Sequence, residues 1–217
     1  GRLENLVGFI RMNLPETLVC FNKDMKKHTS FKTGGKADLL IEPGNVSEIG
    51  QLIKYILKEN LPYIIIGQGS NIIVSDKGIR EVVIKVGRRL SRCRTEGEIL
   101  EAEAGALLAD VSREAQENGL SGLEFACGIP GSIGGGVFMN AGAYGGEIKD
   151  VLQEIKVLTR YGEFLTRQAD ELELGYRRSV MQRNGDIILS AVFKLTRGDK
   201  EEIKKTMDEL NSKREHN

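Results

Sequence analysis

Gly128-Ile129-Pro130-Gly131-Ser132-Ile133-Gly134-Gly135-Gly136, with Asn140-Ala141-Gly142-Ala143-Tyr144-Gly145 close behind, is where this chain departs most from an ordinary globular sequence. Glycine supplies 26 of its 217 residues, against an average usage of roughly 7%. Ten of those glycines fall between Gly119 and Gly146, so the excess is local and needs a local cause. Pro130 fits the first turn of a helix, which would then contain Gly131, Gly134 and Gly135. A glycine inside a helix costs up to about 1 kcal/mol relative to alanine. Several in one helix imply that another group packs directly on the backbone. A helix N-terminus with free N–H groups and no side chains in the way suits a pyrophosphate. Close helix–sheet packing is the alternative, and it asks for one or two glycines rather than this many.

Upstream, Gly67-Gln68-Gly69-Ser70-Asn71 leaves a short apolar run, Tyr63-Ile64-Ile65-Ile66, that reads as a strand buried on both faces. Such a turn can present successive N–H groups to an anion, and a plain tight turn is the competing reading. A P-loop would need Gly-Lys-Ser/Thr, and a dinucleotide fingerprint would need a third glycine where Ile72 stands. Before it, residues 37–42 read as a strand and Pro43-Gly44-Asn45 as a break. Asn45 with Glu48 resembles a capping box. Val46, Ile49, Leu52, Ile53, Ile56 and Leu57 then follow at helical spacing, up to Pro62. A strand–helix–strand unit of this kind predicts parallel strands in the first sheet. Residues 1–20 carry a weak helical pattern ended by Pro15, and Lys32-Thr33-Gly34-Gly35 is a turn signal.

Downstream of the polar stretch Gly87-Arg88-Arg89, residues 98–104 alternate as a strand and Leu107, Leu108, Val111 and Ala115 mark a helix ended by Gly119. Beyond the glycine segment, 151–159 and 164–167 read as a hairpin across Tyr161-Gly162, and 187–195 as another strand. Asp199 with Glu202 caps a last helix carrying Ile203, Met207 and Leu210. The length suits one large domain or two small ones.

Composition narrows the function classes. With 31 basic and 31 acidic residues the formal net charge is zero, which leaves no global electrostatic footprint for nucleic acid or an anionic membrane. No apolar run approaches the roughly 20 residues of a membrane span. Hydrophobic residues make up 40%, too many for disorder. Cys20, Cys93 and Cys127 have no C-x-x-C spacing, and His28 and His216 are far apart, so neither a metal site nor a disulfide framework is expected. No secretory signal pattern is present, and a cytoplasmic location is expected.

Tyr176-Arg177-Arg178-Ser179 is a weak motif alone and gains weight from the others. Their order from Thr33-Gly34-Gly35 through Gly67–Asn71, the glycine segment and Asn140–Gly145 to Tyr176–Ser179 closely resembles the UDP-N-acetylenolpyruvoylglucosamine reductase family. The likeness runs from about residue 20 to the last helix. It implies an α+β fold of the vanillyl-alcohol-oxidase and p-cresol-methylhydroxylase type, with two α+β subdomains holding FAD between them. The expected division is a helical segment over 1–20, one FAD-binding subdomain over 21–87 and a second over 88–217.

By the same resemblance, FAD would be held by Thr33, Gly34, Gly35, Gly67, Gln68, Gly69, Ser70, Asn71, Gly128, Ile129, Pro130, Gly131, Ser132, Gly134, Gly135, Asn140 and Gly142. Tyr176 and Arg177 would bind substrate, and Arg177 would be catalytic, holding the enolpyruvyl carboxylate and stabilising developing negative charge. An arginine suits that role through two parallel hydrogen bonds to a carboxylate. NADPH would be co-substrate, a UDP-sugar the small-molecule partner, and a monomer the favoured state. The family continues into a third domain with a serine proton donor in a Gly-Ser-x-Phe-like motif and a late glutamate. Neither has a counterpart in these 217 residues, so the chain is expected to be a truncated form that binds FAD and turns over poorly. The alternatives are an FAD subunit of another oxidoreductase of the same fold and a non-catalytic nucleotide-binding module.

Overall fold

A computed structural model describes residues 1–21, 38–67, 70–73 and 82–216. The first half holds α1 (Arg2–Asn13), β1 (Leu18–Phe21), β2 (Leu39–Glu42), α2 (Val46–Lys58), β3 (Tyr63–Gly67), β4 (Ser70–Ile73) and β5 (Val82–Lys85). Their five strands form one sheet in the order β1-β2-β5-β3-β4. β2 and β3, the strands joined by α2, both run parallel to β5 between them. β1 and β4 close the edges antiparallel. The parallel strands expected from the strand–helix–strand pattern are therefore present, with a later strand inserted in the middle.

The N-terminal segment follows the sequence expectation up to Pro15 and differs after it. α1 stops at Asn13, one residue before Leu14, because a residue ahead of proline is pushed out of the helical region. Residues 18–20, expected to be helical, belong to the edge strand β1, where Val19 and Phe21 follow their β preference. Glu48 fastens the two pieces together. Asn45 caps α2 by accepting from the Glu48 N–H at 2.8 Å. The Glu48 carboxylate reaches sideways, accepting from the Glu16 N–H and, at 2.7 Å, from the Thr17 hydroxyl. Ile49, Leu52, Ile53 and Ile56 of α2 are fully buried against the sheet, whereas Leu57 is half exposed.

The second half holds β6 (Cys93–Glu96), β7 (Ile99–Glu103), α3 (Leu108–Glu117), β8 (Leu120–Ser121), α4 (Ile133–Met139), β9 (Gly142–Ala143), β10 (Gly146–Glu147), β11 (Leu152–Leu158), β12 (Phe164–Gln168), α5 (Met181–Asn184), β13 (Ile187–Lys194), β14 (Thr196–Arg197) and α6 (Lys200–His216). A fully antiparallel sheet runs β12-β11-β13-β7-β6. One face packs on α3 and α4 through a core that includes Leu100, Val111, Ile133, Val137, Ile155 and Phe193. Leu158, Ile187 and Leu189, from β11 and β13, instead join the core of the first sheet.

Two close backbone approaches fix how the halves meet. A Cβ on Gly67 would lie 2.7 Å from the Ile187 side chain. Gly105, just past β7, lies against the turn at 87–90: its N–H donates to the Leu90 carbonyl at 2.7 Å, and a Cβ there would collide with the Gly87 and Leu90 carbonyl oxygens. α6 is capped by Asp199, whose carboxylate accepts from the N–H groups of Glu201 and Glu202. Gly128 lies against this helix, where a Cβ would sit 3.0 Å from Arg214.

Candidate functional site

The glycine segment folds differently from the helix expected to start at Pro130. α4 begins only at Ile133, with Ser132 as its cap, accepting from the Gly135 N–H at 3.1 Å. Gly131 has φ +111, a value that no helix and few side chains adopt, so the chain must turn there before the helix can begin. The expectation of free N–H groups in the first helical turn is also corrected. Ile133 and Gly134 donate to the carbonyls of Ala106 and Ala104, and Gly136 to that of Ser132. The first turn of α4 is thus stitched to the end of β7, and Gly136 is pressed against Leu108.

A narrower cradle remains just before the helix. Among the described residues, the N–H groups of Gly131 and Ser132 meet no backbone acceptor. A Cβ on Gly131 would enter open space, and one on Gly135 would meet only the Ser132 hydroxyl. Two adjacent N–H groups beside an open, side-chain-free surface fit an oxygen-rich anion such as a pyrophosphate. Gly128, by contrast, is accounted for by α6 and Gly67 by Ile187. Pro130 and Ile129 precede the cradle, the Ile129 N–H being used by Ala126.

At the far end of α4 lies a cleft of 650 Å³. One wall is the hairpin β9–β10, whose two-residue turn places Tyr144 at φ 52 and Gly145 at φ 84, the pair of positive values that a tight hairpin needs. Gly142 lets the hairpin close, since a Cβ there would lie 2.9 Å from the Gly146 carbonyl oxygen. The other wall is the turn Gly175 to Arg178, closed by reciprocal hydrogen bonds of 3.1 and 3.2 Å. Tyr176 at its tip is 92% exposed, and Arg177 has φ 51. The structure therefore brings together Asn140, Gly142, Tyr176 and Arg177, which are separated by more than thirty residues in sequence.

Several lining residues were missed by sequence reading. Tyr144, Glu147 and Lys149 face the cleft, with Lys149 Nζ 3.3 Å from the Glu147 carboxylate. Gln182 Nε2 donates to the Arg177 carbonyl at 3.0 Å, and the fully buried Ser179 donates to the Phe138 carbonyl at 2.6 Å. Asn140 is buried, and its side-chain amide bonds to Glu147, to the Gly175 carbonyl and to the Lys149 N–H. Thr33, Gly34, Gly35, Gln68 and Gly69 lie outside the described residues; Ser70 and Asn71 are placed by backbone in β4, opposite Gly67 and Ile66.

Two thiols of the second half are held toward the protonated form. Burial, and then the Glu114 carboxylate, push Cys93 up to about 12, and burial also raises Cys127. A thiol held protonated is a poor nucleophile. Among the described residues no group of His, Cys, Asp and Glu could hold a metal ion, and no helix is long and apolar enough to cross a membrane.

Residues 37–167, more than half of the chain, match the family model of the FAD binding domain. A protein named UDP-N-acetylenolpyruvoylglucosamine reductase 2 from Bacillus cereus (strain ATCC 10987) is 46% identical over 213 residues, covering 98% of this chain and 70% of that protein. The UDP-N-acetylenolpyruvoylglucosamine reductase of Agathobacter rectalis is 48% identical over 223 residues, covering 97% and 71%. Among solved structures, the enzyme of that name from Thermus caldophilus is similar at a TM-score of 0.64 and 33% identity, over 93% of this chain and 70% of that one. Alkyldihydroxyacetonephosphate synthase is similar at a TM-score of 0.57 and 18% identity, over 89% and 44%, which bears on the fold alone. The fold is the α+β, vanillyl-alcohol-oxidase type of FAD-binding fold. With a flavin domain across most of its length and relatives of one name matching nearly all of it, the chain belongs to the UDP-N-acetylenolpyruvoylglucosamine reductase family.

Proposed function

We propose that this protein reduces UDP-N-acetylenolpyruvoylglucosamine to UDP-N-acetylmuramate for peptidoglycan synthesis, using FAD and NADPH. The observation that carries this reading is Arg177, set in a left-handed turn on the wall of a cleft large enough for a sugar nucleotide fragment. When bound, FAD supplies the hydride chemistry. The N–H groups of Gly131 and Ser132 would hold its pyrophosphate, and the absent side chains of Gly131 and Gly135 would let it approach the backbone. Thr33, Gly34, Gly35, Gln68, Gly69, Ser70 and Asn71 are assigned to the cofactor by family resemblance. Gly67 and Gly128 serve the same site indirectly, by packing.

Arg177 grips the enolpyruvyl carboxylate and faces the negative charge that develops as the double bond is reduced. Tyr176, exposed at the tip of the same turn, packs against substrate. We further assign residues 21–87 and 88–217 to two FAD-binding subdomains, and the protein to the cytoplasm as a monomer.

The test is consumption of NADPH by the flavin-loaded, full-length protein with and without the enolpyruvyl sugar nucleotide. Sugar-dependent consumption with formation of the muramate product is expected. NADPH oxidation indifferent to the sugar would point to another reductase of this fold, and bound flavin that NADPH does not reduce would point to a binding module.

A further inference from the structure

We infer that Asn140 is the positioning residue of Arg177, an assignment that rests on the carboxylate-holding role proposed above. Asn140 ends α4 in the left-handed conformation, with φ 48 and only 6% exposure. Its Nδ2 donates to the Gly175 carbonyl at 3.1 Å and to the Glu147 carboxylate at 3.2 Å. Its Oδ1 accepts from the Lys149 N–H at 2.9 Å. One buried amide therefore ties the wall formed by β9–β10 and Lys149 to the first residue of the turn that carries Arg177. Both of its protons are spent inside the chain, so it acts through the turn and not on a ligand.

The turn needs such a tie. Arg177 sits at φ 51, a conformation that a residue with a Cβ keeps only when its surroundings over-determine it. Gln182 and Ser179 hold the turn from its C-terminal side, through the Arg177 carbonyl and the Phe138 carbonyl. Asn140 holds it from the N-terminal side, at Gly175. Three non-glycine residues of this cleft, Asn140, Tyr144 and Arg177, have positive φ. Asn140 is the one whose side chain bridges the two walls, so the distance between hairpin and guanidinium depends on it.

The experiment compares Asn140→Gly in the parent and in an Arg177→Lys background, using the flavin-loaded, full-length protein. Glycine accepts φ 48 without strain, so the substitution removes the amide and spares the backbone. A misplacement of about 1 Å in a positioned group can cost about 10²-fold in rate. We therefore expect kcat/KM for the enolpyruvyl sugar to fall by about 10²-fold in the parent, with flavin content unchanged. In the Arg177→Lys background, where the planar fork is already lost, the same change should cost less than about 3-fold, because coupled residues are not additive. Asn140→Asp keeps the acceptor for Lys149, loses the donors to Gly175 and Glu147 and sets a second carboxylate beside Glu147, so in the parent it should cost at least as much as Asn140→Gly. An equal loss in both backgrounds, or no loss in either, overturns the inference. If Arg177→Lys leaves turnover intact, the carboxylate role fails and takes the inference with it; if Arg177→Lys is costly and Asn140→Gly is not, the inference fails alone.

Discussion

Arg177→Ala in the full-length protein should lower turnover of the enolpyruvyl sugar by about 10²- to 10³-fold, the loss typical of removing one preorganised charge-stabilising donor, while flavin content stays at the parent level. The two readouts separate because the two parts of the site are separate. Arg177 lines the cleft beyond the C-terminal end of α4, whereas the backbone cradle at Gly131 and Ser132 lies before its N-terminus. The seven residues of α4, at about 1.5 Å each, put about 10 Å between them. Alanine at position 177 also keeps the turn, since Gly175 and Arg178 close it through backbone atoms. Steady-state kinetics beside the visible flavin spectrum would measure both. A fall in flavin content that parallels the fall in rate would place Arg177 at the cofactor and not at the substrate.

Gly105→Ala should destabilise the protein by about 3 kcal/mol, at the upper end of overpacking costs, and lower Tm by about 10 °C for a chain of this size. The new Cβ would run into the carbonyl oxygens of Gly87 and Leu90, and backbone atoms cannot swing aside as a flexible side chain can. The Gly105 N–H donates to the Leu90 carbonyl at this contact, and one residue earlier the Ala104 N–H donates to the Leu189 carbonyl of β13. Moving the 87–90 turn to relieve the clash would break the first of these bonds and disturb the end of β7, to which the first turn of α4 is also stitched. Flavin affinity should therefore fall together with Tm. A thermal scan showing an unchanged midpoint would mean that the turn is free to move.

The sequence revealed local structure wherever one residue carries a specific backbone requirement. Asn45 before an apolar helical stripe marked α2 and its cap, and Tyr161-Gly162 marked the β11–β12 hairpin, where Gly162 has φ 81. It misled where a polar segment pairs as an edge. Cys93-Arg94-Thr95-Glu96 has no apolar alternation to mark it, yet it forms β6 by pairing with β7. Leu18–Phe21 was hidden behind a helix that Pro15 had already ended. The glycine signal marked close backbone approaches, and part of them are packing within the chain. Of the glycines expected at the cofactor, Gly67 and Gly128 meet Ile187 and Arg214 of the chain itself. No periodicity could have shown that Asn140 grips Gly175, because that bond spans 35 residues. Motif order, through family resemblance, supplied the pairing of Arg177 with this cleft.

That these residues form an FAD-binding unit is tested most directly by titrating residues 1–217 with FAD. Saturable binding of one FAD per chain, read from quenching of flavin fluorescence, is the expected result. Affinity should fall when Gly131 is replaced by valine, because φ +111 and the open surface beside it are both lost. A purified chain without flavin absorbance that also leaves added FAD fully fluorescent would contradict the account.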